Sequence, residues 1–129
     1  MPARHEDWFK QARGDFAHAE HSLAAGDFSW GCFAAQQAGE KAVKALYQKL
    51  GAEAWGHAVS GLLSALPLAH QPSEELLERA KELDKHYVSS RYPNAYPEGA
   101  PVEYYTKAEA ERAIEYARQI LEFCQDHLL

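Results

Sequence analysis

The 129-residue chain is 47% hydrophobic and 25% charged, which suits one globular domain able to bury its own core and argues against disorder. Its formal net charge of −6 argues against a broad electrostatic grip on duplex nucleic acid, so any contact with nucleotide or RNA has to be a local patch. The charged N-terminus lacks the apolar run of a secretory signal, and no stretch approaches the roughly 18 uninterrupted apolar residues of a membrane span, so the expected location is the cytoplasm, with no membrane partner.

The first predicted helix runs from about residue 4 to Ala25. Trp8, Ala12, Phe16, Ala19 and Leu23 recur at steps of three and four, with Phe9 widening the stripe. Gly26 is a natural stop, and Asp27 can cap the next helix. The second helix spans about Phe28 to Leu50, closed by Gly51, with Phe28, Cys32, Ala35, Gly39, Ala42, Leu46 and Leu50 on its buried stripe. Glycine inside a helix costs about 1 kcal/mol against alanine, so Gly31 and Gly39 among many alanines predict close helix–helix approach. Cys32 and Cys124 lie in helical apolar patterns without paired spacing and read as buried free thiols.

A short third helix is expected over Val59–Leu66, ended by Pro67. Ser73 followed by Glu74 and Glu75 starts a fourth, which runs to about Ser90 and buries Leu76, Ala80, Leu83 and Tyr87. Pro93, Pro97, Gly99 and Pro101 then forbid a continuous helix. A fifth helix covers about Lys107 to His127, with Ala110, Ala113, Ala117, Ile120 and Cys124 in its stripe. The expected architecture is all-α: an up-and-down bundle of the four-helix type with one additional short helix, forming a single domain over residues 1–129.

Few patterns carry chemistry. Inward-facing Glu-x-x-His pairs and glycine-rich phosphate loops are absent, and His18 with His21 reads as an exposed pair, so neither a metal nor a cofactor is expected. Gln37, Lys41, Lys44 and Gln48 share one polar face of the second helix; it reads either as a solvated face with a Glu40–Lys44 ion pair or as a small phosphate- or partner-binding patch. Asp84, Tyr87 and Arg91, spaced by three and four, share a face if the fourth helix persists. They either position a phosphate or simply order the helix end, with Asp84 pairing to Arg91 or a lysine. The following loop presents Tyr92, Tyr96, Tyr104 and Tyr105, which can stack on bases, anchor a partner or pack as lids.

With these residues the chain resembles the HEPN (higher eukaryotes and prokaryotes nucleotide-binding) domain family. The matching pieces are Trp8, Ala12 and Asp15; Gln36-Gln37-Ala38-Gly39-Glu40-Lys41-Ala42; His57; Leu83-Asp84-Lys85-His86-Tyr87; Arg91-Tyr92-Pro93-Asn94; and Tyr104-Tyr105. The resemblance implies a five-helix bundle that forms homodimers, often encoded beside a minimal nucleotidyltransferase in toxin–antitoxin-like pairs. It also implies, for many members, metal-independent ribonuclease activity from an Arg followed a few residues later by a His. Arg91 matches that Arg, but Tyr96, Pro97 and Glu98 occupy the His positions, and no histidine lies between His86 and His127. The leading expectation is therefore a homodimer that binds nucleotide or RNA through Arg91, Lys41, Lys44, Asp84, Tyr87, Tyr92 and Tyr96. The alternatives are a ribonuclease in which Arg91 is essential and Tyr96 or His86 carries the proton, and a non-catalytic interaction module.

Overall fold

Apolar residues recurring every three or four positions wind the chain into long amphipathic helices; the structure is a computed structural model and describes residues 4–129. Helix α1 (His5–Ala25) buries Phe9, Ala12, Ala19 and Ser22, while Trp8, Phe16 and Leu23 pack half-buried beside them. Gly26 ends it with φ +82°, a backbone conformation that favours glycine, and its N–H bonds back to the Leu23 carbonyl at 3.1 Å. Asp27 occupies the cap position of α2 (Phe28–Lys49), but its side chain accepts no bond there. Leu50 falls just past the end of α2 and is exposed rather than part of the stripe, because the chain turns away at Gly51 (φ +72°).

Helix α2 is the central element. It lies against α1 on one side and α7 (Lys107–Leu128) on the other, while α4 (Glu74–Asp84) packs on α7 and α3 (Val59–Ser64) wedges between α2 and α4. The small residues of α2 permit this. A Cβ on Gly31 would stand 3.5 Å from the Ala19 carbonyl oxygen, so α1 approaches α2 backbone to backbone. A Cβ on Gly39 would meet Leu83 at 3.5 Å, Val59 at 3.7 Å and Ile120 at 3.8 Å, which makes Gly39 the junction of α2, α3, α4 and α7. Cys32 and Cys124 are buried free thiols in this core, and burial pushes the Cys32 thiol up to about 12.

Three local features depart from the sequence expectation. Helix α3 stops at Ser64, and Leu68–His70 forms a separate 3-10 turn. The fourth predicted helix is divided at Lys85 into α4 and α5 (His86–Ser89); Lys85 keeps helical angles (φ −62°, ψ −22°), so the chain continues along its course through one loosened turn. The proline-rich stretch holds a 3-10 turn at Pro93–Ala95 and a four-residue helix, α6 (Pro101–Tyr104), with Pro101 in the first turn, where its missing N–H is not needed. Helix α7 opens with a capping box: Thr106 Oγ1 accepts from Glu109 N–H at 3.1 Å, and Glu109 accepts from Thr106 N–H at 3.3 Å. Among the described residues the fold is all-helical, with no strand and no helix long and apolar enough to cross a membrane.

Candidate nucleotide- or RNA-binding site

The polar face of α2 does not point wholly to water. Gln36 is fully buried, and its side-chain N–H groups donate to the His57 carbonyl at 3.0 Å and to Glu40 at 3.2 Å. Glu40 is only 5% exposed, and a carboxylate this buried needs partners. It receives Lys44 Nζ at 3.0 Å and His57 Nδ1 at 3.1 Å. The His57 ring in turn lies flat on Tyr87, with centroids 4.4 Å apart and planes 14° apart.

Tyr87 carries the next layer. The Arg91 guanidinium carbon stands 4.9 Å from the Tyr87 ring centre, 4.2 Å from that of Phe33 and 5.0 Å from that of Tyr92. Arg91 Nε donates to the Tyr87 carbonyl at 2.9 Å, and Nη2 reaches the same oxygen. The side chain is thereby fixed by its own helix end and by three rings. Three of its five N–H donors, including the Nη1/Nη2 edge, are left without a partner among the described residues. Lys44, Glu40, His57, Tyr87, Arg91, Phe33 and Tyr92 thus form one connected series of cations, an anion and flat rings.

Other expected site residues sit elsewhere. Lys41 turns toward α1, where its Nζ meets Asp15 at 2.5 Å and Gln37 at 3.3 Å. Asp84 makes no ion pair with Arg91; its carboxylate crosses to the start of α3, accepting from Val59 N–H at 2.6 Å and from the Ser60 hydroxyl at 2.5 Å. Burial pushes that carboxyl above its usual range, partly offset by the bonds from Ser60 and Val59. Tyr96 stacks on Tyr104 at 4.3 Å and donates to the Ser89 carbonyl at 3.0 Å, so it closes the loop onto itself. Tyr92 remains half exposed at 50%. His86 is buried, with Nδ1 2.8 Å from the Tyr105 hydroxyl, and burial lowers its pKa, which takes it out of the Arg91 surface. His18 and His21 are exposed on α1, and among the described residues no three His, Cys, Asp or Glu side chains gather as a metal site.

Phe33, Glu40 and His57 join the site without having been singled out as site residues by spacing. Gln36, Glu40 and Lys44 do follow a strict four-residue step, which could have marked one face. No local signal announces the contact from Glu40 to His57.

The match to known proteins is extensive. The model of the HEPN domain matches residues 5–127. The chain belongs to the HEPN domain family. This HEPN chain superposes on the crystal structure of TT1696 from Thermus thermophilus with a TM-score of 0.95, at 46% identity, covering 98% of this chain and 99% of that one. It also matches ST0689, an archaeal HEPN homologue, over the full length of both chains with a TM-score of 0.82 and 43% identity. A Methanocaldococcus jannaschii protein named "Putative toxin MJ1304" is 31% identical, over 94% of this chain and 86% of that protein.

Proposed function

We propose that this HEPN protein binds a nucleotide or RNA through the Arg91 surface, as a homodimer, and works with a nucleotidyltransferase partner in a toxin–antitoxin-like pair. The observation that carries the reading is Arg91 itself. Its guanidinium is held by the Tyr87 carbonyl and three aromatic rings, so its remaining N–H fork meets a phosphate without first losing much side-chain freedom. The likeness to a protein named as a toxin supports the pairing. Lys44 adds charge from the other end of the series, although Glu40 already holds it.

Calorimetric titration with ATP and with a short single-stranded RNA tests the binding. Arg91→Ala is expected to weaken it at least tenfold, and Arg91→Lys to restore only part, because an ammonium lacks the planar fork. Absence of heat with both ligands in the wild-type protein removes the reading. Light scattering at twice the monomer mass is expected for the dimer, and co-purification with a co-expressed minimal nucleotidyltransferase tests the partner.

One arrangement favours a second reading, metal-independent RNA cleavage. With Glu40 accepting from Nδ1, the neutral His57 ring carries its proton there and leaves Nε2 as a base, on the ring that stacks on Tyr87 beside Arg91. His57→Gln is then expected to reduce cleavage of RNA in EDTA by about a hundredfold while RNA binding stays within a few-fold. Wild-type protein that binds RNA but leaves it intact would retire the catalytic version alone.

A further inference from the structure

The loop between α2 and α3 carries a tryptophan that the fold does not use. Trp55 is 83% exposed, although the segment that carries it is firmly anchored. At one end Ala52 N–H bonds to the Tyr47 carbonyl at 3.0 Å; at the other Gln36 holds the His57 carbonyl and Asp84 caps Val59 and Ser60. Gly51 and Gly56 take φ of +72° and +94°, conformations that L side chains rarely adopt, and so fix the two bends around Trp55. An anchored loop that holds a large flat ring in water is a platform without an occupant.

Beside that ring lies a hollow of about 400 Å³, lined by Tyr47, Glu53, Trp55, His57 and Leu62 among others. Its size falls in the range of roughly 300–1,000 Å³ typical of small-molecule sites. Its floor is rigid, since the Tyr47 hydroxyl donates to the Leu62 carbonyl at 2.7 Å. His57 is shared: it lines the hollow, and it stacks on Tyr87, which carries Arg91. The surface therefore runs as a row of rings from Trp55 through His57 and Tyr87 to Tyr92, with the Arg91 guanidinium against Tyr87 and Tyr92.

We infer that the Trp55 hollow is a base-stacking subsite and that the protein's ligand is a single-stranded oligonucleotide, with a phosphate at Arg91 and a neighbouring base against Trp55. This deepens the binding reading and rests on it. Stacking accepts every base, because each has a flat face, and a row of rings with one cation set in it suits a strand whose bases stack while a phosphate meets the cation. A mononucleotide reaches one end of this surface only. A duplex keeps its bases stacked inside and offers no free face to Trp55, in keeping with the net charge of −6.

Fluorescence anisotropy with labelled single-stranded RNAs of one, two, four and eight nucleotides tests this, with single-stranded DNA and an RNA duplex as separate arms. Affinity is expected to rise at least tenfold from one nucleotide to four, and both single strands are expected to outcompete the duplex. Trp55→Ala is expected to weaken the four-nucleotide RNA about tenfold and to leave ATP binding within twofold, with Trp55→Phe restoring most of the loss. Because Trp55 is exposed, its removal is expected to leave the circular dichroism spectrum and melting temperature unchanged. Arg91-dependent binding that ignores both strand length and Trp55→Ala would overturn the subsite and leave the binding reading intact. No binding of any nucleotide or strand by the wild-type protein would overturn both.

Discussion

Leu83→Ala is expected to lower the free energy of unfolding by about 3 kcal/mol, within the 2–5 kcal/mol span for a buried leucine cut to alanine. Leu83 is fully buried at the junction where α4 meets α2, α3 and α7. Its Cδ1 is the nearest atom to the place a Gly39 Cβ would occupy, at 3.5 Å, with Val59 and Ile120 closing the same space. Four helices set the walls of that space, so the hole left by alanine collapses only in part. The geometry supplies an internal control. Gly39→Ala on its own puts a methyl in ordinary contact with Leu83 and gains up to about 1 kcal/mol of helix propensity. In the Leu83→Ala background the same methyl borders the vacated space and is expected to recover at least as much. Urea unfolding of the four proteins of this cycle reads both terms. A Leu83→Ala cost below 1 kcal/mol would mean that the junction is not packed as described.

How far the sequence foretold this arrangement depends on the range of the interaction. Helices α1, α2 and α7 were legible because their stripes repeat over five or six turns, and Gly26, Gly51 and, for α4, Ser73 signal ends locally. The all-helical class follows from the same patterns and the HEPN resemblance from particular motifs such as Gln36–Ala42 and Arg91–Asn94, and the helical structure and the family match bear them out. Helix α6 was hidden by Pro101, which reads as a breaker although it is tolerated in the first turn of a helix. In the candidate site, the approach of Tyr87 to Arg91 was legible as a four-residue step. The link from Glu40 to His57 spans 17 residues and the link from Asp84 to Val59 spans 25, so packing decides them and periodicity carries no trace of them.

Those two long-range links act on one short segment. Gln36 holds the His57 carbonyl, Glu40 holds the His57 ring, and Asp84 holds the N–H groups that open α3. Polar side chains from α2 and α4 thus seize the chain between residues 57 and 60 from two sides. That grip explains how a half-exposed histidine stays flat against Tyr87, and it makes the shape of the Arg91 surface depend on residues that need not touch a ligand.

Asp84 is where this dependence is sharpest. A six-residue helix cannot satisfy its own first N–H groups, and α3 has no side-chain cap of its own. Asp84→Ala removes the acceptor and strands the Val59 N–H and the Ser60 hydroxyl, at an expected cost of about 2 kcal/mol. It is also expected to loosen His57 and to weaken ligand binding by no more than a few-fold. Asp84→Asn keeps one oxygen for Val59 and is expected to cost less. The two also differ in pH dependence. Burial raises the folded-state pKa of Asp84, so the folded protein holds that proton more tightly than the unfolded chain. The group's contribution is therefore greatest at low pH and declines as pH climbs from the ordinary carboxylate value through the raised one. Other carboxylates titrate in the same range, so the quantity to follow is the difference between wild type and Asp84→Asn, measured by urea unfolding from pH 3 to 7. That difference is expected to move against the wild type as pH rises, then level off. A difference that instead moves in its favour would show that the bonds from Val59 and Ser60 outweigh burial, and that α3 holds this carboxylate as an anion rather than merely tolerating its charge.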